Sequence, residues 1–369
     1  MTTAAKSYFR YHLRSKWKLL LMLIVIALIA TSFFSVTQKS EWTSYDTLRD
    51  KETVHTSYDS TLGTGFFLLL ISGFVLPVTE FAIFKKRRNL DCFYGLPISR
   101  RQMGIIHYIT GILCLVIPYT FAYLLNFLFM LRYPEGFYYW PLVGYYFISL
   151  LIAVSAYSIN VFLFNRANTT GDGIWFILFW IFLLPSVVGT WNDISYNVVR
   201  HSFHEETELV GFYDIWEQYW EIDLHGMGTP WRALSEIQYA FADVIEKEEN
   251  ASLMSFWGDG VKVQMFLLWL ILGIASVIGI VFSFGKSRTE KTEEVSDSWF
   301  GFKLMIPVYA SLGVLLAGIG GFFGPIYAFG GYLIYRKGFH LKLSDWIVIG
   351  SLFSLYLFLQ FVDLVVFIS

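Results

Sequence analysis

Charged residues are scarce in this sequence. Only 15% of its 369 residues are Asp, Glu, Lys or Arg, whereas soluble domains carry about 25%. Hydrophobic residues make up 56% of the chain, and apolar runs of membrane length recur from one end to the other. The shortage of charge therefore excludes a soluble domain with one anchor and predicts a polytopic membrane protein.

Cysteines and cleavage signals are also few. Cys92 falls in a predicted cytosolic loop and Cys114 in a predicted span, so neither a disulfide framework nor a zinc site is indicated. The first apolar run, residues 19–36, is not followed by a small-residue cleavage site of the A-x-A kind. We therefore expect it to be a retained span and not a signal peptide.

The motifs of an enzyme are missing as well. The stretch GIVFSFGKS, residues 279–287, resembles an ATP-binding loop, but it has five residues between its glycines where four are needed, and no strand precedes it. The stretch HSFHE, residues 201–205, does not have the order of a zinc-protease motif. We therefore expect no ATPase, no catalytic residues, no metal site and no cofactor in this chain, and no nucleic-acid partner.

The apolar runs predict an all-α, polytopic membrane helix bundle. The fourteen residues 322–335 would form a helix of about 21 Å, against a hydrocarbon core of about 30 Å. A hairpin or a re-entrant segment fits there as well as a full span, and one long helix over 303–335 is disfavoured. The predicted spans are residues 19–36, 65–84, 104–131, 141–164, 173–190, 263–284, 303–319, 322–335 and 346–368.

The distribution of basic residues predicts the orientation. With the N-terminus in the cytoplasm, the inner segments hold 19 of the 27 Lys and Arg residues. The only large polar region, residues 191–262, then lies outside; it has fourteen acidic and four basic residues. We expect a multi-pass protein of the cell (plasma) membrane with a small, acidic, extracellular helical cap.

The N-terminal segment has the pattern of an interfacial helix. Phe9, Leu13 and Trp17 recur at steps of four residues, with basic residues one position further round the helix. This pattern fits a positive-inside anchor and a surface that contacts a partner equally well.

Residues 85–101, KKRRNLDCFYGLPISRR, interrupt the apolar sequence with two basic clusters. The first cluster closes the second span, where the helix C-terminus and anionic headgroups favour cations. Leu90, Phe93 and Tyr94 then follow i, i+3, i+4 spacing, which predicts a short helix with one apolar face. Gly95 and Pro97 end that helix.

The next helix has its own start signals. Ser99 and Gln102 have the spacing of a capping box, and Ile98 and Met103 have the spacing of a hydrophobic staple. We therefore expect the insert to be a short surface helix held between two spans.

The stretch EFAIFKKRRNLDCFYGLPISRRQMGI resembles the coupling-helix region of permease subunits of bacterial type-2 ABC transporters, the ABC-2 family. The layout of the chain over residues 1–285 resembles that family too, with six spans and the main outer loop between the fifth and sixth. The positions that carry the local resemblance are Glu80, Arg87, Arg88, Leu96, Pro97, Ser99 and Arg100.

The resemblance implies a six-span permease core over 1–285, with a coupling helix at about 86–98 and the extracellular loop 191–262. A C-terminal membrane extension, 286–369, follows it. It further implies the membrane-spanning subunit of an ATP-driven exporter working by alternating access in the lipid bilayer. ATP would be hydrolysed by a separate ABC ATPase subunit, and a second permease subunit, identical or homologous, would complete the transporter. The implied ATPase-coupling residues are Arg87, Arg88, Leu90, Phe93, Tyr94, Leu96, Pro97, Ser99 and Arg100.

Two polar residues within spans are further candidates. Glu80 either reaches back to the interface or is buried for a functional reason, and Asp363 lies deeper in the last span. The alternative function is a non-transporting membrane sensor or assembly protein that binds a ligand through its acidic extracellular loop.

Overall fold

The computed structural model describes residues 3–37, 40–46, 51–57, 73–88, 95–131, 140–181, 260–284, 293–316 and 321–368. Apart from one β-hairpin, the regular structure in these residues is helical. The helices are α1 (Thr3–Ser15), α2 (Trp17–Thr37), α3 (73–81), α4 (Arg100–Met130), α5 (Trp140–Arg166), α6 (Thr170–Ile181), α7 (Gly260–Ser283), α8 (Phe302–Leu316), α9 (Phe323–Arg336) and α10 (Leu343–Ile368).

The hairpin is the one element that the all-α prediction does not include. Strands β1 (Ser40–Asp46) and β2 (Lys51–Ser57) pair antiparallel, with Ser40 opposite Ser57 and Asp46 opposite Lys51. The strands lie in the segment that the sequence assigns to the first outer loop.

Four helices among the described residues are long and apolar enough to cross a membrane: Arg100–Phe129, Leu142–Arg166, Phe266–Ser283 and Leu343–Phe361. They coincide with the predicted spans 104–131, 141–164, 263–284 and 346–368. Shorter apolar helices cover Trp17–Ser32, Thr170–Ile181 and Phe302–Leu315. These helices support a polytopic membrane protein.

The chain divides into two compact units, residues 1–165 with 230–290 and residues 166–229 with 291–369. In the first unit, polar side chains join α4 to α5. Tyr119 Oη lies 2.6 Å from Ser149 Oγ, and Tyr123 donates to the carbonyl of Leu142 at 2.7 Å. Such bonds satisfy polar groups that the bilayer cannot hydrate, so they hold two apolar helices together.

The start of α4 follows its predicted signals. Ser99 Oγ accepts a hydrogen bond from the backbone N–H of Gln102. Ile98 and Met103 belong to one apolar cluster with Tyr8 and Ile106. The cap and the staple therefore set where α4 begins and bring α1 against it.

In the second unit, α8 and α9 form an antiparallel hairpin. Gly324 lies against Ala310 and Val314, and Gly331 lies against Ile306. The chain is therefore two packed helices over 302–336 and not the single long helix that the sequence disfavours. Residues 317–320 lie outside the described residues.

The end of α9 is set by a Schellman motif. Lys337 has φ of 53°, Gly338 N–H donates to the carbonyl of Leu333, and Lys337 N–H donates to the carbonyl of Ile334. The left-handed residue turns the chain toward α10, which packs on α8 and α9 through a shared apolar cluster.

The second unit also joins two segments that the sequence assigns to the same side of the membrane. Ser296 N–H donates to Asp172 Oδ2 at 3.0 Å, and Asn168 N–H donates to Ser296 Oγ at 2.7 Å. Residues 168 and 172 therefore contact Ser296, and the cytoplasmic side assigned to both segments by the positive-inside pattern stays a prediction.

Candidate functional site

The carboxylate of Glu80, in the last turn of α3, is fully buried. Lys16 Nζ lies 2.9 Å from Oε1, and His12 Nε2 donates a hydrogen bond to Oε2 at 2.9 Å. Lys16 also donates to the carbonyl of Thr79 at 3.3 Å. His12 of α1 and Lys16, the residue after α1, therefore bind the end of α3 through an ion pair and hydrogen bonds.

A second histidine reaches the same carboxylate from α4. His107 Nδ1 lies 3.4 Å from Glu80 Oε2 and 3.1 Å from the Glu80 backbone oxygen, while its Nε2 lies 3.0 Å from Tyr8 Oη. A single neutral tautomer satisfies these contacts, with Nδ1–H donating to Glu80 and Nε2 accepting from Tyr8. Burial and the nearby Glu80 charge raise the pKa of Tyr8 to about 12, so its hydroxyl keeps the proton that it donates.

Aromatic rings enclose this cluster, which we call the Glu80 cluster: Tyr8, His12, Lys16, Glu80 and His107. The rings of His12 and His107 are 3.9 Å apart between centroids, and Phe84 meets His107 edge-on at 4.7 Å. A site walled by rings has a low local dielectric, so the ion pair is stronger there than in water and more costly to break.

The buried face of α1 differs from the predicted apolar stripe. Ala5, Tyr8 and His12 face inward, whereas Trp17 is 58% exposed. Phe9 and Leu13 are half-buried at the edge of that face. The helix thus turns a partly polar face to the protein, because the Glu80 carboxylate needs donors there.

The four basic residues at the end of the second span, 85–88, differ in burial. Lys85 is buried; it donates to the carbonyl of Asn165 at 3.3 Å and lies 5.7 Å from the centre of the Phe164 ring. Lys86, Arg87 and Arg88 are exposed. Headgroup binding therefore fits Lys86, Arg87 and Arg88 but is wrong for Lys85, whose ammonium caps the end of α5.

The structure describes only part of the predicted coupling insert. Leu96, Pro97, Ser99 and Arg100 are exposed at the start of α4, and their role in coupling stays a prediction. Leu90, Phe93 and Tyr94, the predicted apolar face, lie outside the described residues. Asp363 lies on α10, and its side chain is likewise outside them.

Sequence reasoning did not single out Tyr8, His12, Lys16 or His107. A signal was available: Tyr8, His12 and Lys16 follow one another at steps of four residues. Side chains at that spacing share one helix face. A face of titratable groups, in a chain with an unpartnered carboxylate in a span, points to a contact between them.

The second unit has a smaller ionic site. Arg336 Nε and Nη2 each donate to Asp345 at 3.0 Å, and Lys342 N–H donates to Asp345 Oδ2 at 3.0 Å. Asp345 at the third position of α10 thus caps the helix and pairs with the end of α9. The hydrogen bonds from Arg336 to the Asp345 carboxylate raise the pKa of Arg336.

The Glu80 cluster is the best-formed polar site among the described residues. It holds a carboxylate, two imidazoles, an ammonium and a phenol, and the ligand atoms of His12, Glu80 and His107 lie within 4.8 Å of one another. These groups can transfer protons, bind a cation or fix three helices to each other. No protein-family model, no curated protein and no solved structure matches this chain.

Proposed function

We propose that this chain is the membrane-spanning subunit of an ATP-driven transporter of the ABC-2 type, working as an exporter. A separate ABC ATPase would supply the energy, and a second permease subunit would form the other half of the pathway. In this proposal the chain has no chemistry of its own, and it moves substrate by alternating between inward-facing and outward-facing states.

One observation carries the proposal: the Glu80 cluster joins the elements on both sides of the basic insert. Glu80 closes α3 immediately before the insert, and His107 lies two turns into α4, immediately after it. His12 ties α1 to the same carboxylate. A force on the insert would therefore move α1, α3 and α4 together and not merely bend a loop.

The packing around the cluster supports the same mechanism. Phe84, just before the insert, and Ile98, near its end, pack against the cluster that contains Tyr8 and Met103. Packed interfaces of this kind switch between discrete arrangements instead of deforming gradually. Movement of an ATPase against the insert would thus be passed on as a rigid-body motion of the spans.

The test is co-purification from membranes of the native host. A tagged chain should retain a stoichiometric ABC ATPase, identified by mass spectrometry and by ATP hydrolysis. Buried aromatic anchors often contribute about 2 kcal/mol to an interface, so Phe93→Ala should weaken this association by roughly thirtyfold. Phe339→Ala, at an aromatic residue that is 85% exposed in the second unit, is the matched control and should retain the ATPase.

Membrane insertion of each variant is checked by its yield and its elution profile in detergent. Full ATPase retention by both Phe93→Ala and Tyr94→Ala would overturn the coupling role of the insert. A chain that never retains an ATPase, and instead binds a ligand through residues 191–262, would favour the sensor or assembly function.

A further inference from the structure

We infer that His12, Glu80 and His107 form a binding site for a divalent transition metal of the zinc class, at which the metal exchanges with the ammonium of Lys16. This inference is independent of the proposed transport function. It runs against the expectation, drawn from the sequence, that the chain has no metal site.

The first support is the ligand set and its geometry. One imidazole comes from α1, one carboxylate from α3 and one imidazole from α4, and all three residues are buried. Two histidines and one glutamate are a common zinc ligand set, which leaves a fourth position open. With bonds of about 2.0–2.1 Å, tetrahedral ligands are about 3.4 Å apart.

The observed separations are close to that value. His12 Nε2 lies 2.9 Å and His107 Nδ1 lies 3.4 Å from Glu80 Oε2. All three ligand atoms lie within 4.8 Å of one another, so a metal ion would require the ligand atoms to move relative to one another by at most about 1.4 Å.

The second support is the state of the other carboxylate oxygen. Glu80 Oε1 is buried, and no described residue gives it an aligned hydrogen bond, although Lys16 Nζ is 2.9 Å away as an ion pair. Buried carboxylate oxygens are normally hydrogen-bonded. Oε1 therefore has the Lys16 ammonium as its counter-ion, and a metal ion bound to the same carboxylate would take over that role.

Lys16 is able to leave. Its side chain is 22% exposed, whereas that of Glu80 is not exposed at all. A lysine at the edge of a buried site can turn its ammonium into water while its alkyl stem stays in contact with the protein. Departure of Lys16 would thus open a path from solvent to the carboxylate.

The third support is the partner of His107 on the side away from the carboxylate. Metal-bound imidazoles donate their other N–H to a fixed acceptor, and Tyr8 Oη lies 3.0 Å from His107 Nε2. A metal on Nδ1 would move the imidazole proton to Nε2, and the phenol oxygen of Tyr8 would accept it. The imidazole is neutral in both states, so the exchange needs no net protonation there.

The competing interpretation is an ion pair between Lys16 and Glu80 with two neutral histidines, present only to fix the three helices. The two interpretations differ in what happens when Lys16 is removed. If the pair is purely structural, removal of Lys16 takes away the counter-ion of Glu80 and does not create an affinity for metal ions. A metal site loses its competitor and binds the ion more tightly.

The experiment is a titration of the purified full-length chain, stripped with a chelator, with Co²⁺ in detergent. We expect one equivalent to bind with the visible absorption of a four-coordinate cobalt centre, and Zn²⁺ to displace it. Lys16→Gln should tighten binding by at least about tenfold, since it removes the competing charge. Lys18→Gln, two residues along and exposed, is the matched control and should leave the affinity unchanged.

The ligand variants complete the design. Glu80→Gln and His107→Gln should abolish the cobalt spectrum, and Tyr8→Phe should weaken binding by about 10–100-fold, the usual effect of losing an outer-shell partner. His340→Gln, at an exposed histidine of the second unit, should bind cobalt like the parent chain.

Two results would overturn the inference. One is a cobalt spectrum that persists in Glu80→Gln, which would assign the ion to other residues. The other is the absence of stoichiometric binding in both the parent chain and Lys16→Gln. Should Glu80→Gln fail to fold, the Lys16→Gln and Lys18→Gln pair still decides, because equal affinities for cobalt in the two would exclude exchange with Lys16.

Discussion

The Glu80 cluster and the Arg336–Asp345 pair are two ionic sites of the same chain, built in different ways. Glu80 takes its histidine partners from 68 and 27 residues away, and its side chain is fully buried. Asp345 pairs with a residue only nine positions away across one turn, and the Arg336 side chain is 20% exposed.

This difference separates two uses of charge. The Arg336–Asp345 pair closes a local turn, where the Schellman motif and the α10 cap already direct the chain. The Glu80 cluster holds together helices that no turn connects, in a place where an unpaired carboxylate would be costly. Local pairs refine a structure that local signals have set, whereas buried pairs between distant helices specify which helices meet.

Removal of the two carboxylates is the strongest test of this contrast. Glu80→Ala leaves two buried histidines without their acceptor and should lower the free energy of unfolding by about 4 kcal/mol. Asp345→Ala should lower the free energy of unfolding by less, about 2 kcal/mol, because the guanidinium of Arg336 can turn to water. Denaturant titration of both variants in the same detergent measures the difference, and equal losses would contradict it.

Two glycines of α9 differ in how closely a neighbouring helix approaches them. A Cβ at Gly324 would lie 2.6 Å from the carbonyl oxygen of Ala310 and 2.5 Å from Val314 Cγ2, whereas one at Gly330 on the same helix would meet nothing within 4 Å. Gly324→Leu should therefore cost about 3 kcal/mol through overpacking. Gly330→Leu should be neutral or slightly stabilising, since glycine is a poor helix former.

Thermal unfolding of the two glycine variants in parallel provides the measurement, with binding of any partner subunit as a second readout. A large loss in both would mean that leucine disturbs α9 by its size alone and not by contact with α8.

Two tyrosines sharpen the comparison at the level of single hydrogen bonds. Tyr8→Phe removes a bond to the buried His107, so we expect a loss of about 1 kcal/mol. Tyr335→Phe removes a bond to Asp297, whose side chain is 55% exposed and can be hydrated instead. The smaller loss expected for Tyr335→Phe should appear in the same denaturant titrations, and the reverse order would contradict the stated role of burial.

The smallest effect is expected for a lysine at the surface. Lys303 Nζ lies 2.7 Å from Asp297 Oδ1, with side-chain exposures of 39% and 55%. This pair is as short as the Lys16–Glu80 contact, yet Lys303→Met should change the free energy of unfolding by about 0.5 kcal/mol or less, because water screens it. A loss comparable to that of Glu80→Ala would show that the distance between the two charges, and not their burial, determines how much an ion pair stabilises the protein.

Much of the helical architecture could be predicted from the sequence. Apolar runs of membrane length located the long helices, because a bilayer demands continuous apolar sequence. Ser99 and Gln102 located the start of α4, and the sequence disfavoured one long helix over 303–335. The β-hairpin at 40–57 was not predicted, since its segment is polar and has weak alternation.

By itself, the sequence determined the helical, membrane-like character of the chain and the start of α4, and it disfavoured one long helix over 303–335, because hydropathy and capping signals act between near neighbours. Only the tertiary structure decided that His12, Lys16 and His107 meet at Glu80 and that Lys85 is buried against α5. Those contacts join residues from 27 to 80 positions apart. The physical reason is that the partner of a buried charge is chosen by which helices pack together, and no local pattern encodes that choice.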